Sequence, residues 1–124
     1  MMTTTILIVD DQPQISKILN DVLTKKGYST VMAFNGEAGY QKAMEIKPDL
    51  IIMDIMMPVL SGFDSAKKIK SHPELNSIPI IFLTAKGLDS DKDEADKLGA
   101  VGFVTKPFSP KSLLALVENI LGNT

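Results

Sequence analysis

Five short apolar runs, at residues 6–9, 30–33, 50–53, 80–83 and 101–104, each end in polar or turn residues and set the tightest limit on the fold. Three of them are continuous rather than alternating, the pattern of strands covered on both faces and therefore of a parallel sheet. Helical stretches separate them. The clearest places Ile15, Ile18, Leu19, Val22 and Leu23 on one predicted apolar stripe, with Pro13 suited to its first turn and Lys25-Lys26-Gly27 as its stop. A last helix from about Pro110 repeats the pattern with Leu113, Leu114, Val117, Ile120 and Leu121, and weaker stripes mark helices near 36–46, 62–71 and 89–98. Strand and helix alternate five times. The expectation is an α/β fold, a three-layer α/β/α sandwich with right-handed crossovers and a five-stranded parallel sheet. At 124 residues, with no linker or repeat, the chain reads as one domain over 1–124 with a sizeable core.

Composition removes several chemistries. There is no Cys, so thiolate metal sites, thiol nucleophiles and disulfides are excluded, and oxygen-ligated metals become the ones to consider. The single His72 leaves no room for a multi-histidine metal site, and its Ser71-His72-Pro73-Glu74 setting reads as a surface loop. All 13 basic residues are Lys, against 15 acidic ones, which argues against nucleic acid as a direct ligand. The start lacks a signal-peptide pattern, and no apolar run approaches the ~20 residues of a membrane helix. A soluble, cytoplasmic protein is expected. The opening Met1 and a helix closing at Gly122-Asn123-Thr124 further suggest a stand-alone protein.

Ligands of open parallel sheets bind beyond the carboxyl ends of the strands. The first run ends on Asp10-Asp11, the third on Asp54, the fourth on Thr84 and the fifth on Thr105-Lys106-Pro107. Taken singly, Asp11 could be a helix N-cap, Thr84 a strand-end residue and Lys106 a solvated loop charge. Asp54 is different, because it interrupts the apolar stretch Leu50-Ile51-Ile52-Met53-Asp54-Ile55-Met56-Met57-Pro58. A carboxylate there must be paired, metal-bound or protonated. Three carboxylates and one ammonium leave a local charge of about −2, which a Mg²⁺ ion would neutralise with oxygen ligands. Such an ion could also hold a phosphoryl group, with Lys106 and Thr84 contacting its other oxygens.

These residues resemble the receiver domain of two-component response regulators, in the version of the single-domain chemotaxis regulator. The resemblance rests on Ile6-Leu7-Ile8-Val9-Asp10-Asp11, Asp49 to Pro58, Gly62, Thr84-Ala85, Gly99-Ala100 and Lys106-Pro107-Phe108, and covers essentially the whole chain. It implies a flavodoxin-like (βα)5 fold with strand order 2-1-3-4-5. It further implies that Asp54 is the phosphoacceptor, taking a phosphoryl group from a sensor histidine kinase or a histidine phosphotransfer protein. Asp11, Asp54 and the Met56 backbone carbonyl would ligate Mg²⁺, with Asp10 acting through water. Lys106 would pair with a phosphoryl oxygen, Thr84 would turn inward to bond another, and Phe103 would follow. Their movement would alter the surface of the fourth helix, fifth strand and last helix, where a downstream protein target would bind. The protein is then a regulatory binding module rather than an enzyme, and the Lys106–Pro107 bond is expected to be cis.

Met56 and Lys86 stand where the chemotaxis regulator has Asn and Glu, at positions that tune hydrolysis, and Phe103 lacks the hydroxyl of a Tyr. Met53, Met56 and Met57 read as adaptable packing. The charged run at 89–97 predicts a solvated, weakly packed helix, and Leu116 either widens the buried face of the last helix or is open to a partner. Two other functions compete. A small Mg²⁺-dependent phosphohydrolase with an aspartyl nucleophile, of the haloacid-dehalogenase type, would need a second Asp at Met56 and a cap domain. An FMN-binding flavodoxin-like carrier would need a Ser/Thr/Gly-rich first loop where this chain has Asp10-Asp11-Gln12-Pro13.

Overall fold

The computed structural model describes residues 3–122. Five strands, β1 (Thr5–Val9), β2 (Ser29–Ala33), β3 (Leu50–Asp54), β4 (Ile80–Thr84) and β5 (Gly102–Thr105), alternate with five helices. The helices are α1 (Pro13–Lys25), α2 (Gly36–Ile46), α3 (Gly62–Ser71), α4 (Asp89–Lys97) and α5 (Pro110–Leu121). All strand pairs are parallel and the sheet order is β2-β1-β3-β4-β5, as expected. The order reverses between β1 and β3, so the carboxyl ends of these two strands flank the crevice where such sheets bind ligands.

Alternate side chains of the central strands point to opposite faces and seed two cores. Leu7, Val9, Ile51, Met53, Ile80 and Phe82 pack with Ala43 of α2, Ala66 and Ile69 of α3 and Ala95 of α4. Ile6, Ile8, Leu50, Ile52, Ile81 and Leu83 pack with Leu19 and Leu23 of α1 and Leu113 and Val117 of α5. This double coverage is why the central runs are apolar throughout rather than alternating.

Two sequence readings change. Ile18 is 42% exposed, and the inner face of α1 is Ser16, Leu19 and Leu23. At 3.6 residues per turn Ile18 lies roughly 130° around the helix from the centre of that set. Asp11 is not the N-cap of α1; Gln12 is. Leu116 resolves in favour of packing, being partly buried against the α1/α5 core and set close over Gly102. Helix α4 has Ala95 as its one buried residue and no side-chain cap, in keeping with its charged sequence. The Lys106–Pro107 bond is cis. Of the chain ends, Met1, Asn123 and Thr124 lie outside the described residues, while Gly122 closes α5 in a left-handed cap.

Candidate functional site

The apolar strands carry their terminal polar residues to one edge of the sheet. Asp10 follows β1 directly and is fully buried, and Asp54 ends β3 with 3% exposure. Asp11 lies on the surface beside them. One oxygen from each of the three carboxylates falls within a 4.8 Å cluster. Lys106 reaches in from the loop after β5, its side chain only 9% exposed, with Nζ 2.9 Å from Asp10 Oδ2 and 3.2 Å from Asp54 Oδ2. It donates a hydrogen bond to Asp54 Oδ2, and a further one of 2.8 Å to Gln12 Oε1.

Backbone donors fix the carboxylates. The Gln12 N–H donates to Asp10 Oδ1 at 2.9 Å, and the Met56 N–H donates to Asp54 Oδ1 at 3.3 Å. Asp10 Oδ2 is buried and accepts no hydrogen bond among the described residues, since the nearby Lys106 ammonium approaches it outside bonding geometry. A buried carboxylate oxygen without a bonded partner is costly in a protein interior. Burial, and then the charge of Asp10, raise the Asp54 carboxyl above its ordinary value, while Lys106 and the Met56 N–H pull the other way.

The residues fit a hard divalent cation. Oxygen donors from three carboxylates converge, one is left unsatisfied, and a single ammonium does not balance their charge. Beside the cluster lies a cleft of about 180 Å³ lined by Asp11, Gln12, Asp54, Met56, Ala85 and Lys106. Thr84, fully buried at the end of β4, does not line it; its hydroxyl accepts a 3.2 Å hydrogen bond from the Lys86 N–H. Phe103 is partly buried on β5, packed against the α2/α3/α4 core and paired in register with Phe82. His72 stays apart in the loop after α3, its Nδ1 accepting from the Glu74 N–H.

Gly62 was legible only as a motif position, and the structure supplies its reason. A Cβ there would lie 2.1 Å from the Asp54 carbonyl oxygen, so only glycine lets the start of α3 press against the end of β3. The Gly62 N–H closes the turn with a 2.8 Å bond to the Ile55 carbonyl. The contact of Gln12 with Lys106 had a weaker sign: Gln is a poor helix N-cap, so its presence there hints at other work.

A doubly wound parallel sheet with an acidic crevice at its switch point defines a class of α/β ligand-binding domains. Within that class the chain belongs to the response regulator receiver domain family, whose model matches residues 6–118. The phosphate regulon transcriptional regulatory protein PhoB of Pseudomonas aeruginosa is 39% identical over all of this chain and 54% of its own length. Among solved structures, the chemotaxis protein CheY4 of Vibrio cholerae has a TM-score of 0.90 at 31% identity, covering 96% of this chain and 99% of that one. The receiver domain of sensor histidine kinase PA1611 from Pseudomonas aeruginosa PAO1 has a TM-score of 0.88 at 27% identity, over 98% of this chain and 99% of that one. That domain was solved with a magnesium ion coordinated in its active site cleft. The chain spans about half the length of the curated relatives it matches. It is thus homologous to two-component response regulators, and neither the phosphohydrolase nor the flavin carrier is favoured. No helix among the described residues is long and apolar enough to cross a membrane.

Proposed function

We propose that residues 1–124 form a Mg²⁺-dependent receiver domain in which Asp54 accepts a phosphoryl group from a phosphohistidine of a sensor kinase or histidine phosphotransfer protein in the cytoplasm. The observation that carries this is Asp54 itself: an acid at the end of a fully buried strand, beside an unsatisfied Asp10 oxygen, opening on a cleft with Lys106 at its side.

Asp54 Oδ attacks phosphorus, the partner's P–N bond breaks, and its histidine leaves with a proton. Asp11, Asp54 and the Met56 carbonyl are the residues that would hold Mg²⁺, with Asp10 behind them through water. When bound, the ion neutralises the carboxylates and shields charge on the phosphoryl oxygens. Lys106, already paired with Asp54, follows the charge onto a phosphoryl oxygen. The Thr84 hydroxyl leaves its bond with the Lys86 N–H to donate to another oxygen, and Phe103 turns with it. Because Lys106 and Phe103 belong to the β5 segment, their movement is transmitted to the surface of α4, β5 and α5, which a downstream protein reads. The magnesium ion in the PA1611 receiver domain supports the choice of metal.

Incubation with Mg²⁺ and a small-molecule phosphodonor, followed by mass spectrometry, tests this reading. Wild type gains one phosphoryl group and Asp54→Ala gains none. No uptake by wild type, or equal uptake by Asp54→Ala, would sink it.

A further inference from the structure

Gln12 occupies the N-cap of α1, yet its side chain makes no capping bond. At the corresponding positions of α2, α3 and α5, the side chains of Asn35, Ser61 and Ser109 each accept an N–H of the first turn, the ordinary role of such a residue. The Gln12 backbone is secured independently: its N–H donates to Asp10 Oδ1, and its carbonyl accepts from the Ile15 and Ser16 N–H groups at 3.1 Å. Its carboxamide turns to the cleft, where Oε1 accepts from Lys106 Nζ at 2.8 Å, a shorter contact than either carboxylate makes with that ammonium.

The ammonium and a divalent cation compete for the same oxygens. Lys106 stands 2.9 Å from Asp10 Oδ2 and 3.2 Å from Asp54 Oδ2, and an ammonium left with only these two partners is drawn between them by its charge. A neutral third acceptor on the cleft wall engages one of the ammonium's three protons, and Asp10 Oδ2 is left without a hydrogen bond. We propose that Gln12 is a positioning residue for Lys106: it engages one ammonium proton that would otherwise bond Asp10, so that Asp10 Oδ2 stays available to a divalent cation while Nζ stays within reach of a group on Asp54. This rests on the reading of the cleft as a Mg²⁺-dependent phosphoryl-acceptor site.

The test uses Mg²⁺ alone, titrated into the full chain and followed by backbone amide shifts. Gln12→Met keeps the length of the side chain and removes the acceptor; it should weaken Mg²⁺ binding by about 3- to 10-fold. Gln12→Glu, which retains an acceptor oxygen, should bind at least as tightly as wild type. In a Lys106→Ala background the same Gln12→Met change should alter affinity by less than about twofold, because no ammonium remains to be held. Equal affinity of wild type and Gln12→Met overturns the proposal, as does the same loss with and without Lys106. Wild type that binds Mg²⁺ but never takes a phosphoryl group defeats the functional reading alone. A flat cycle with normal phosphoryl uptake defeats this proposal alone, and wild type that binds no Mg²⁺ overturns both.

Discussion

Neighbouring strands β4 and β5 are built to different standards. All five residues of β4 are buried, whereas none of the four residues of β5 is. The helices beside them differ likewise: α3 buries Gly62, Ser65, Ala66 and Ile69, but α4 buries Ala95 alone. The acidic pocket straddles this boundary. Asp10 directly follows the packed strand β1 and Asp54 ends β3, while Lys106 follows the loosely packed β5. In the proposed reaction, a change of charge on Asp54 would meet a carboxylate on the packed side and a cation carried by the loosely packed one, which would direct the response to β5 and α4. A pocket made wholly of central residues would hold its ligand without passing anything on.

The largest test of that contrast is in the core. Phe82 is fully buried on β4, with the Phe63 ring edge-on at 5.0 Å. Phe82→Ala should destabilise the fold by about 3–5 kcal/mol in urea denaturation, through lost burial and the cavity left behind. Val101, 44% exposed just before β5, should tolerate Ala within about 0.5 kcal/mol. Similar losses at the two positions would mean that the margin is as tightly packed as the centre. Amide hydrogen exchange probes the same difference without mutation. Protected amides of α4 should exchange about 10²-fold faster than those of β3 and β4, because local opening there exposes little apolar surface. Equal protection would remove α4 as the element that yields.

The sequence announced the centre more clearly than the margin, for a physical reason. Strands covered on both faces must be apolar throughout, so β1, β3 and β4 declare themselves, and Asp54 stands out because it breaks such a run. Periodicity misplaced Ile18, since an apolar residue at the border of a stripe is placed by the shape of what it packs on. The partnership of Gln12 with Lys106 joins residues 94 apart in sequence, and no local pattern encodes it. The packing reason for Gly62 is likewise invisible until the end of β3 and the start of α3 are brought together.

Electrostatic strain belongs to the rigid side, and it has a sign. Burial and Asp10 raise the proton affinity of Asp54 in the folded state. A carboxyl raised above its unfolded value binds protons more readily when folded. Stability therefore falls as pH rises from the ordinary carboxylate range, near 4, through the folded value. Asp54→Asn removes that penalty and should raise the stability of the metal-free protein at neutral pH. The gain should shrink as pH falls and vanish only well below about 4, where wild-type Asp54 is protonated in both states. Thermal melts in a chelator across pH check it. A gain that grows on acidification would contradict the assigned cause.

The smallest expected effect lies in the backbone, where the loops on either side of the boundary again differ. After β4 the positive φ of 51° falls on Gly87, which takes it without strain. After β3 the positive φ of 71° falls on Val59, a β-branched residue that is 87% exposed. The left-handed region costs an L-residue about 1–2 kcal/mol, most for a β-branched one, and an exposed side chain recovers little of that by packing. Val59→Gly relieves the strain but gives the unfolded chain more freedom, an opposing effect of about 0.5–1 kcal/mol. The net expectation is a stabilisation of about 0.5 kcal/mol in chemical denaturation. Backbone strain is a recurrent feature of functional loops, and Val59 lies in the loop that follows the proposed acceptor, so the same variant should also change the rate of the proposed phosphoryl uptake by Asp54. A variant that is more stable and phosphorylates at the wild-type rate would make the strain incidental. One that is less stable would show that the Val59 side chain packs more than its exposure implies.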